Sequence, residues 1–368
     1  METTVSSSVR DSGAKDGQRA AGRDVPVDIA KSVAIFGVLL IHAFAVGGYA
    51  GTTGTLRWDG GLFWGTVLRC AVPVFFLCSG ALLLDPARKL TVRRIWTRNI
   101  ARILAALLFW AAVYQGVDLY LGWRLTGVLE AAALRRAALD LVLFRHKSHL
   151  YYLHIMLLIY ALLPVTRAFA ARAARRELEY ALGAWFVLGS LLPALRGLPP
   201  VSLLTGIPAQ YPINLTYACL GYTVAGYYLS RYGSERRPRF YALVFLAGFA
   251  VTHFGTLALS LRSGELYQGL LTGSAPGVCA QAVGLYGFCV SRFSRSRPMP
   301  WAETLSKASF CIFLTHMLAL DFLQRHSLTA ARFCPALSVP AVALALLAFG
   351  FALWLVLRRV PVVNRWLI

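Results

Sequence analysis

The sequence predicts an all-α, polytopic membrane helix bundle with about ten transmembrane helices, and three observations support that prediction. Hydrophobic residues make up 58% of the 368 residues and charged residues only 14%, whereas soluble proteins average about 25% charged residues. The mean hydropathy is +0.60. The hydrophobic residues also occur in runs of about 20, the length that a helix needs to cross a bilayer. This composition excludes a soluble globular domain, a disordered chain and a fibrous repeat.

Ten segments are long and apolar enough to be predicted as membrane-spanning helices. In chain order they are residues 31–49, 62–84, 100–122, 149–168, 179–196, 212–229, 239–261, 269–291, 307–324 and 337–357. Residues 125–147 are too polar to span, so we expect a partly helical external loop there. Residues 1–25 are polar and rich in Gly, Ser and Arg, which is typical of a disordered tail and not of a signal peptide.

The positive charge follows the predicted topology. The formal net charge is +21, and 26 of the 37 basic residues fall in segments that face the cytosol if the N-terminus is cytosolic. We therefore expect both termini in the cytosol, including a C-terminal tail at residues 361–368, and a multi-pass protein of the plasma or inner membrane. Because topology accounts for the charge, a nucleic-acid partner is not expected.

Two groups of residues limit the chemistry. The seven cysteines lie mostly in apolar stretches and form no C-x-x-C pair, so they are interpreted as small buried hydrophobes, and no metal site is predicted. Asp118 and Asp321 lie toward the outer ends of their predicted spans, and no Asp or Glu takes a central position. Ion-coupled transporters commonly carry such a central carboxylate, so this pattern counts against a pump.

Ionisable residues mark the first predicted span. Asp28 and Lys31 are one turn apart and are expected to pair near the cytosolic surface. His42 follows Lys31 after ten intervening residues, so the two lie on nearly the same helix face, with His42 about 16 Å deeper. An ionisable residue at that depth usually faces a protein interior or a water-filled cavity. Asp28 is too far along the helix to orient His42, so a partner must come from another span.

Two polar side chains on other spans are candidate partners for His42. Ser79 and His316 each lie nine residues from a basic residue at the cytosolic side, which places both about 13 Å into the membrane. If the three side chains converge, they form one catalytic site. The alternative is that the histidines are hydrogen-bonded packing residues and that Ser79 belongs to a small-residue helix contact.

A basic segment precedes the third predicted span. Residues 88–102 read RKLTVRRIWTRNIAR and contain Arg93, Arg94, Arg98 and Arg102. Guanidinium groups bind phosphates through paired hydrogen bonds, so these arginines are candidates for holding an anionic cytosolic ligand such as coenzyme A. The alternative is an ordinary basic loop that only sets topology.

Five segments in order resemble the acyltransferase 3 family. The first two are VDIAKSVAIFGVLLIH, with the family's basic residue, ten residues and His, and VPVFFLCSGALLL, with its Ser-Gly signature. The other three are RNIARILAALLFWAAVY, HLYYLHIMLLIYALLP and LSKASFCIFLTHML. Tyr151 and Phe313 stand where the family often has Trp and Tyr. The resemblance covers most of residues 26–325, so we expect an acyltransferase 3 transmembrane domain over residues 26–360.

The resemblance implies an integral-membrane O-acyltransferase. Such an enzyme moves an acyl group, usually acetyl, from cytosolic acyl-CoA to a hydroxyl of a surface glycan or lipid-linked sugar. The resemblance implies that His42 is the essential histidine, that Lys31 is its basic companion, and that the arginines near the third span contact the donor. A neutral imidazole suits general-base removal of the hydroxyl proton. Acetyl-CoA is then a substrate, and no permanently bound cofactor is expected.

Two other functions are compatible with a chain of ten spans. A transporter or flippase of lipid-linked glycans would move its substrate whether or not acyl-CoA is present. A membrane scaffold without chemistry would tolerate replacement of His42 by alanine. Direct acyl transfer remains the simplest chemistry, because Cys78 beside Ser79 is the one weak candidate for a covalent nucleophile.

Overall fold

The chain is an all-α helix bundle in the computed structural model, which describes residues 24–195 and 215–368. These described ranges contain helices and no strand, so the predicted fold class is confirmed. Of the predicted N-terminal tail, residues 1–25, only Asp24 and Val25 are described, and Val25 already begins the first helix.

The described residues form thirteen helices. They are α1 (Val25–Ala45), α2 (Leu56–Val67), α3 (Ala71–Leu83), α4 (Val92–Thr126), α5 (Ala131–Val142), α6 (Tyr151–Arg172), α7 (Arg175–Leu195), α8 (Leu215–Tyr232), α9 (Pro238–Ser263), α10 (Pro276–Phe293), α11 (Pro300–Arg325), α12 (Pro335–Leu357) and the short α13 (Pro361–Trp366). Helix α5 lies within residues 125–147, so the prediction of a partly helical loop there is confirmed in its helical part.

Eight segments of the described ranges are long and apolar enough to cross a membrane, against ten predicted. The other two predicted spans, 212–229 and 269–291, form α8 and α10, each of 18 residues. Both helices are long enough to be spans, but their mean hydropathy over 18 residues is lower than that of the other eight segments. Helix α10 buries most of its residues against neighbouring helices, so contact with protein replaces contact with lipid and a lower hydropathy is sufficient.

The second predicted span, 62–84, is not one helix but two. Helix α2 ends at Val67 and α3 begins at Ala71. Pro73 explains the break, because its ring would clash with the carbonyl of Arg69 in a continuous helix. In the first turn of α3 the missing N–H of Pro73 costs nothing. The break therefore leaves Arg69 in a non-helical turn in the middle of a membrane-spanning segment.

Helix α1 is the centre of the bundle. It is the most buried of the eight candidate spans and packs against α2, α3, α10, α11 and α12. Gly37 allows the closest approach, because a Cβ at that position would come within 2.9 Å of the Cβ atoms of Leu68 and Ala71. The turn between α2 and α3 is thereby held directly against α1.

Hydrogen bonds define the two ends of the bundle. At the end where α1 begins, Ser32 donates to the carbonyl of Ala302 at 3.1 Å, and Arg167 donates to the carbonyl of Arg88 at 2.6 Å. We call this the basic end. At the opposite end, Lys147 forms ion pairs with Asp118 and Asp321 at 3.2 and 3.3 Å. Helices α1 and α11 both start at the basic end, so they run parallel.

Helices α3 and α8 cross at two glycines. A Cβ at Gly80 would overlap the carbonyl oxygen of Thr223, and a Cβ at Gly226 would overlap the carbonyl oxygen of Leu77. The two backbones are therefore in direct contact, as small residues permit in membrane helices. This contact fixes Gly80 as a packing residue.

We predict that Gly80→Ala destabilises the protein, because overpacking a close contact typically costs about 1–3 kcal/mol. Gly116→Ala in α4 is the matched control, since a Cβ there meets nothing within 4 Å and alanine favours a helix. Thermal unfolding in detergent micelles measures both variants. A Gly80→Ala protein as stable as the parent would contradict the backbone contact.

Candidate functional site

A cavity of about 460 Å³ opens at the basic end of the bundle. Helices α1, α3, α4, α6 and α11 enclose it. Its polar and charged lining residues are Lys31, Ser79, Arg94, Arg98, Asn99, Arg102, Tyr152, Tyr160, Ser306, Lys307 and Ser309. Its apolar lining residues are Val72, Phe75, Ile103, Met156, Phe310 and Phe313. Five of these side chains are cationic and none is Asp or Glu, so the cavity is suited to an anionic ligand.

The start of α4 places Arg94 and Arg98 on the wall of this cavity. Thr91 caps the helix by accepting a hydrogen bond from the backbone N–H of Arg94 at 3.2 Å. Residues Ile95–Ile100 then form a π-helical segment, and such segments insert one extra residue and often occur at functional sites. Arg98 and Asn99 thereby both line the cavity although they are adjacent in the chain.

A second cavity of about 460 Å³ adjoins the first one. It lies between the end of α3 and the start of α4, and Arg94 and Asn99 line both cavities. Arg88 and Lys89 add two further positive charges to its wall. Because they share these two residues, the two spaces lie side by side, and together we call them the basic channel.

Not every arginine of the predicted cluster takes the same place. Arg94 and Arg98 line the cavity, whereas Arg93 does not. Arg102 lines the cavity and also donates to the backbone oxygen of Ile368 at 2.5 Å. The segment after α13 is held further by Trp110, whose indole N–H donates to the carbonyl of Leu367 at 2.9 Å.

The remaining predicted site residues fall into two groups. Lys31 and Ser79 line the cavity, and the Ser79 hydroxyl also donates to the carbonyl of Phe75 at 2.8 Å. Asp28 is buried and does not line the cavity. His42 and His316 lie outside its lining as well.

The two histidines meet each other deeper in the bundle. The ring centroids of His42 and His316 are 4.8 Å apart, so the two imidazole rings are in direct contact. The His316 Nδ1 lies 2.6 Å from the carbonyl oxygen of Phe313. A carbonyl only accepts, so Nδ1 carries the proton, and the neutral ring keeps a lone pair on Nε2. That Nε2 is buried and has no hydrogen-bond partner among the described residues.

Phe313 connects the cavity with the histidines. It lines the cavity, and its ring centroid is 5.9 Å from that of His316 and 5.1 Å from that of Tyr152. A tyrosine here, as the family often has, would add a hydroxyl to this wall. Phenylalanine leaves the inner wall apolar at the point where the cavity approaches the imidazoles.

His149 was not singled out from the sequence, yet it belongs to the same cluster. It is almost fully buried, and its ring centroid is 5.3 Å from that of His316. Its signal in the sequence is helical spacing, because His149, Tyr152, Met156 and Tyr160 follow one face. The same spacing on α11 joins Ser306, Ser309, Phe313 and His316. No group of three His, Cys, Asp or Glu side chains within residues 24–195 and 215–368 is arranged to hold a metal ion.

The comparisons with known proteins agree with this architecture. A model of the acyltransferase 3 family, described as an acyltransferase domain, matches residues 25–359, nearly the whole chain. Neither the curated proteins nor the solved structures include a match.

We predict that replacing Arg94 by glutamine weakens binding of inorganic pyrophosphate at least about tenfold, because a hydrogen bond to a charged group contributes about 1.5–3 kcal/mol. Arg93→Gln is the matched control: it removes the same charge from the same helix but not from the cavity wall. Isothermal titration calorimetry on the detergent-solubilised protein measures the three affinities. Equal losses in both variants would show that only the net charge of the loop matters.

Proposed function

Because the chain belongs to the acyltransferase 3 family, we propose that it transfers an acetyl or other acyl group from acyl-CoA to a hydroxyl of a glycan or lipid-linked sugar. The observation that carries this proposal is the order of groups along one axis. Basic side chains line the open end of the cavity, Phe313 forms its inner wall, and the His42–His316 pair lies beyond that wall.

The basic channel supports acyl-CoA as the donor. Coenzyme A carries phosphates at one end and a thioester at the end of a long flexible arm. Arg94, Arg98 and Lys307 offer cations to the phosphates, and the adjoining second cavity gives room for the nucleotide. The arm then extends along the first cavity toward Phe313, which brings the thioester toward the histidines.

His42 acts as general base in this proposal. It removes the proton of the acceptor hydroxyl while the hydroxyl oxygen forms a bond to the thioester carbonyl carbon. The tetrahedral intermediate then expels the CoA sulfur, which takes the proton back from His42, so the products are an ester and free CoA. His316 is a positioning residue, because its Nε2 lone pair is available to accept a hydrogen bond from His42 and to orient that ring.

A direct transfer is favoured over a covalent intermediate on a cysteine. Cys78 is fully buried and does not line the cavity. Ser79 lines the cavity, but its hydroxyl donates to a helix carbonyl, and no histidine among its described hydrogen-bond partners would activate it.

The proposed topology agrees with this donor. Lys31, Lys307 and the arginines of α4 lie at the basic end, and the excess of basic residues favours the cytosol for that end. The protein would then lie in the plasma or inner membrane with both termini in the cytosol. Acyl-CoA is made in the cytosol, so the cavity would open where its donor is found.

We predict that His42→Ala lowers acyl transfer by about 10²–10⁴-fold, the usual contribution of a general base, while the protein still folds. The matched control is His326→Ala, which removes an exposed histidine near the end of α11. Release of free CoA thiol and acetyl esters on purified membrane glycans, detected by mass spectrometry, are the two measurements.

Normal ester content in a folded His42→Ala variant would rule out the general base. A transporter would be favoured by two results together: the parent protein acetylates no glycan, and the His42→Ala variant no longer moves glycans across the membrane.

A further inference from the structure

Arg69 is a charged side chain in the middle of a membrane-spanning segment. It lies in the turn between α2 and α3, 13 residues from Leu56 and 14 from Leu83, so neither end of the span is near. Its Nε donates to the carbonyl oxygen of Leu271 at 2.6 Å. One hydrogen bond thus fixes the guanidinium and leaves its two amino groups for other partners.

No carboxylate neutralises Arg69. The ion pairs formed within the described residues do not include it. Placing a charge at this depth is expensive, and such residues usually face an interior cavity and take part in function. A contact to one backbone carbonyl could be made by a neutral side chain at a lower cost. The positive charge itself therefore requires an explanation.

Arg69 lies near the proposed base. Its charge interacts electrostatically with His42 and with Tyr151. The close approach of Gly37 to Leu68 and Ala71 holds the chain on both sides of Arg69 against α1. His42 lies five residues beyond Gly37 on the same helix, about 7.5 Å further along its axis, which is comparable with the length of an extended arginine side chain.

The three side chains also border accessible space. Tyr151 is 44% exposed, and His42 and Arg69 are each partly exposed. Helix α1 is enclosed by five other helices, so the accessible surface of His42 faces the interior of the bundle and not lipid. The lining of the basic cavity includes none of the three, so this space lies beyond the inner wall that Phe313 forms, next to the histidines.

We propose that Arg69 is a further catalytic residue, whose guanidinium binds the carbonyl oxygen of the thioester as that oxygen becomes negatively charged. This inference rests on the proposed acyl transfer. When the hydroxyl oxygen adds to the carbonyl carbon, the C=O π pair moves to the oxygen and His42 takes the hydroxyl proton. The oxyanion then lies between two cations, Arg69 and the imidazolium. When the C–S bond breaks, the pair returns to the C=O bond.

The charge of Arg69 stabilises the oxyanion state more than it stabilises the resting enzyme. In the empty site the Arg69 charge forms no ion pair among the described residues. With an oxyanion between them, both cations are stabilised, so the benefit of Arg69 is realised mainly in the transition state. Interactions of that kind raise kcat and leave substrate affinity nearly unchanged.

The test compares Arg69→Gln with Arg69→Lys on folded, monodisperse protein, with acetyl-CoA as donor and release of CoA thiol as readout. The Gln variant keeps a donor for Leu271 but loses the charge, and we expect kcat to fall about 10²–10³-fold with the KM for acetyl-CoA within about threefold. The Lys variant keeps a charge and should retain at least about a tenth of the parent kcat.

Arg57→Gln is the matched control, because Arg57 also donates to backbone carbonyls, of Ala331 and Phe333, at 2.9 and 3.0 Å. If Arg69 has only a structural role, Arg69→Gln behaves like Arg57→Gln: the thermal stability of the protein falls, while kcat per folded molecule stays constant. That result overturns the proposal. The proposal is also overturned if the folded Lys variant is no more active than the Gln variant. If the Gln variant does not fold, a folded Lys variant with only background activity overturns it. Absence of CoA release from the parent protein would instead refute the proposed function.

Discussion

The packing of α1 against α11 sets the contact between His42 and His316, and the rest of the proposed site depends on it. The two helices run parallel from the basic end, and each carries a lysine near its start and a histidine about ten residues later. Lys31 and Lys307 therefore both line the cavity, while the histidines lie beyond its inner wall with ring centroids 4.8 Å apart. A shift of one helix by a single turn would separate both pairs.

The membrane explains why the cationic side chains of the cavity and the proposed base lie at different depths. Cations are inexpensive near the end of a span, where they reach water and bind phosphates, and expensive at its centre. The deep polar groups are accordingly imidazoles, which function while neutral. Arg69 is charged although it lies in the middle of its span, and the proposed oxyanion gives its charge a counterpart that exists only during the reaction.

Much of the fold followed from the sequence, whereas helix rotation did not. Hydropathy predicted the helical segments, and the family resemblance predicted the domain, because both are recorded in local composition and motif order. The break at Arg69 was missed, although Pro73 was its visible cause. Which arginines of residues 88–102 line the cavity could not be predicted, since the π-helical segment alters the helical spacing there. The site roles of His42, Lys31 and Ser79 stay predictions.

The most direct measurement is a cryo-EM structure of the full chain with a non-hydrolysable acetyl-CoA analogue. The account predicts phosphate density beside Arg94 and Arg98 and the arm of the analogue running along the first cavity, with its acyl carbon next to the His42–His316 pair. An analogue bound at the opposite end of the bundle, or one whose acyl carbon stays at the mouth of the cavity, would contradict it.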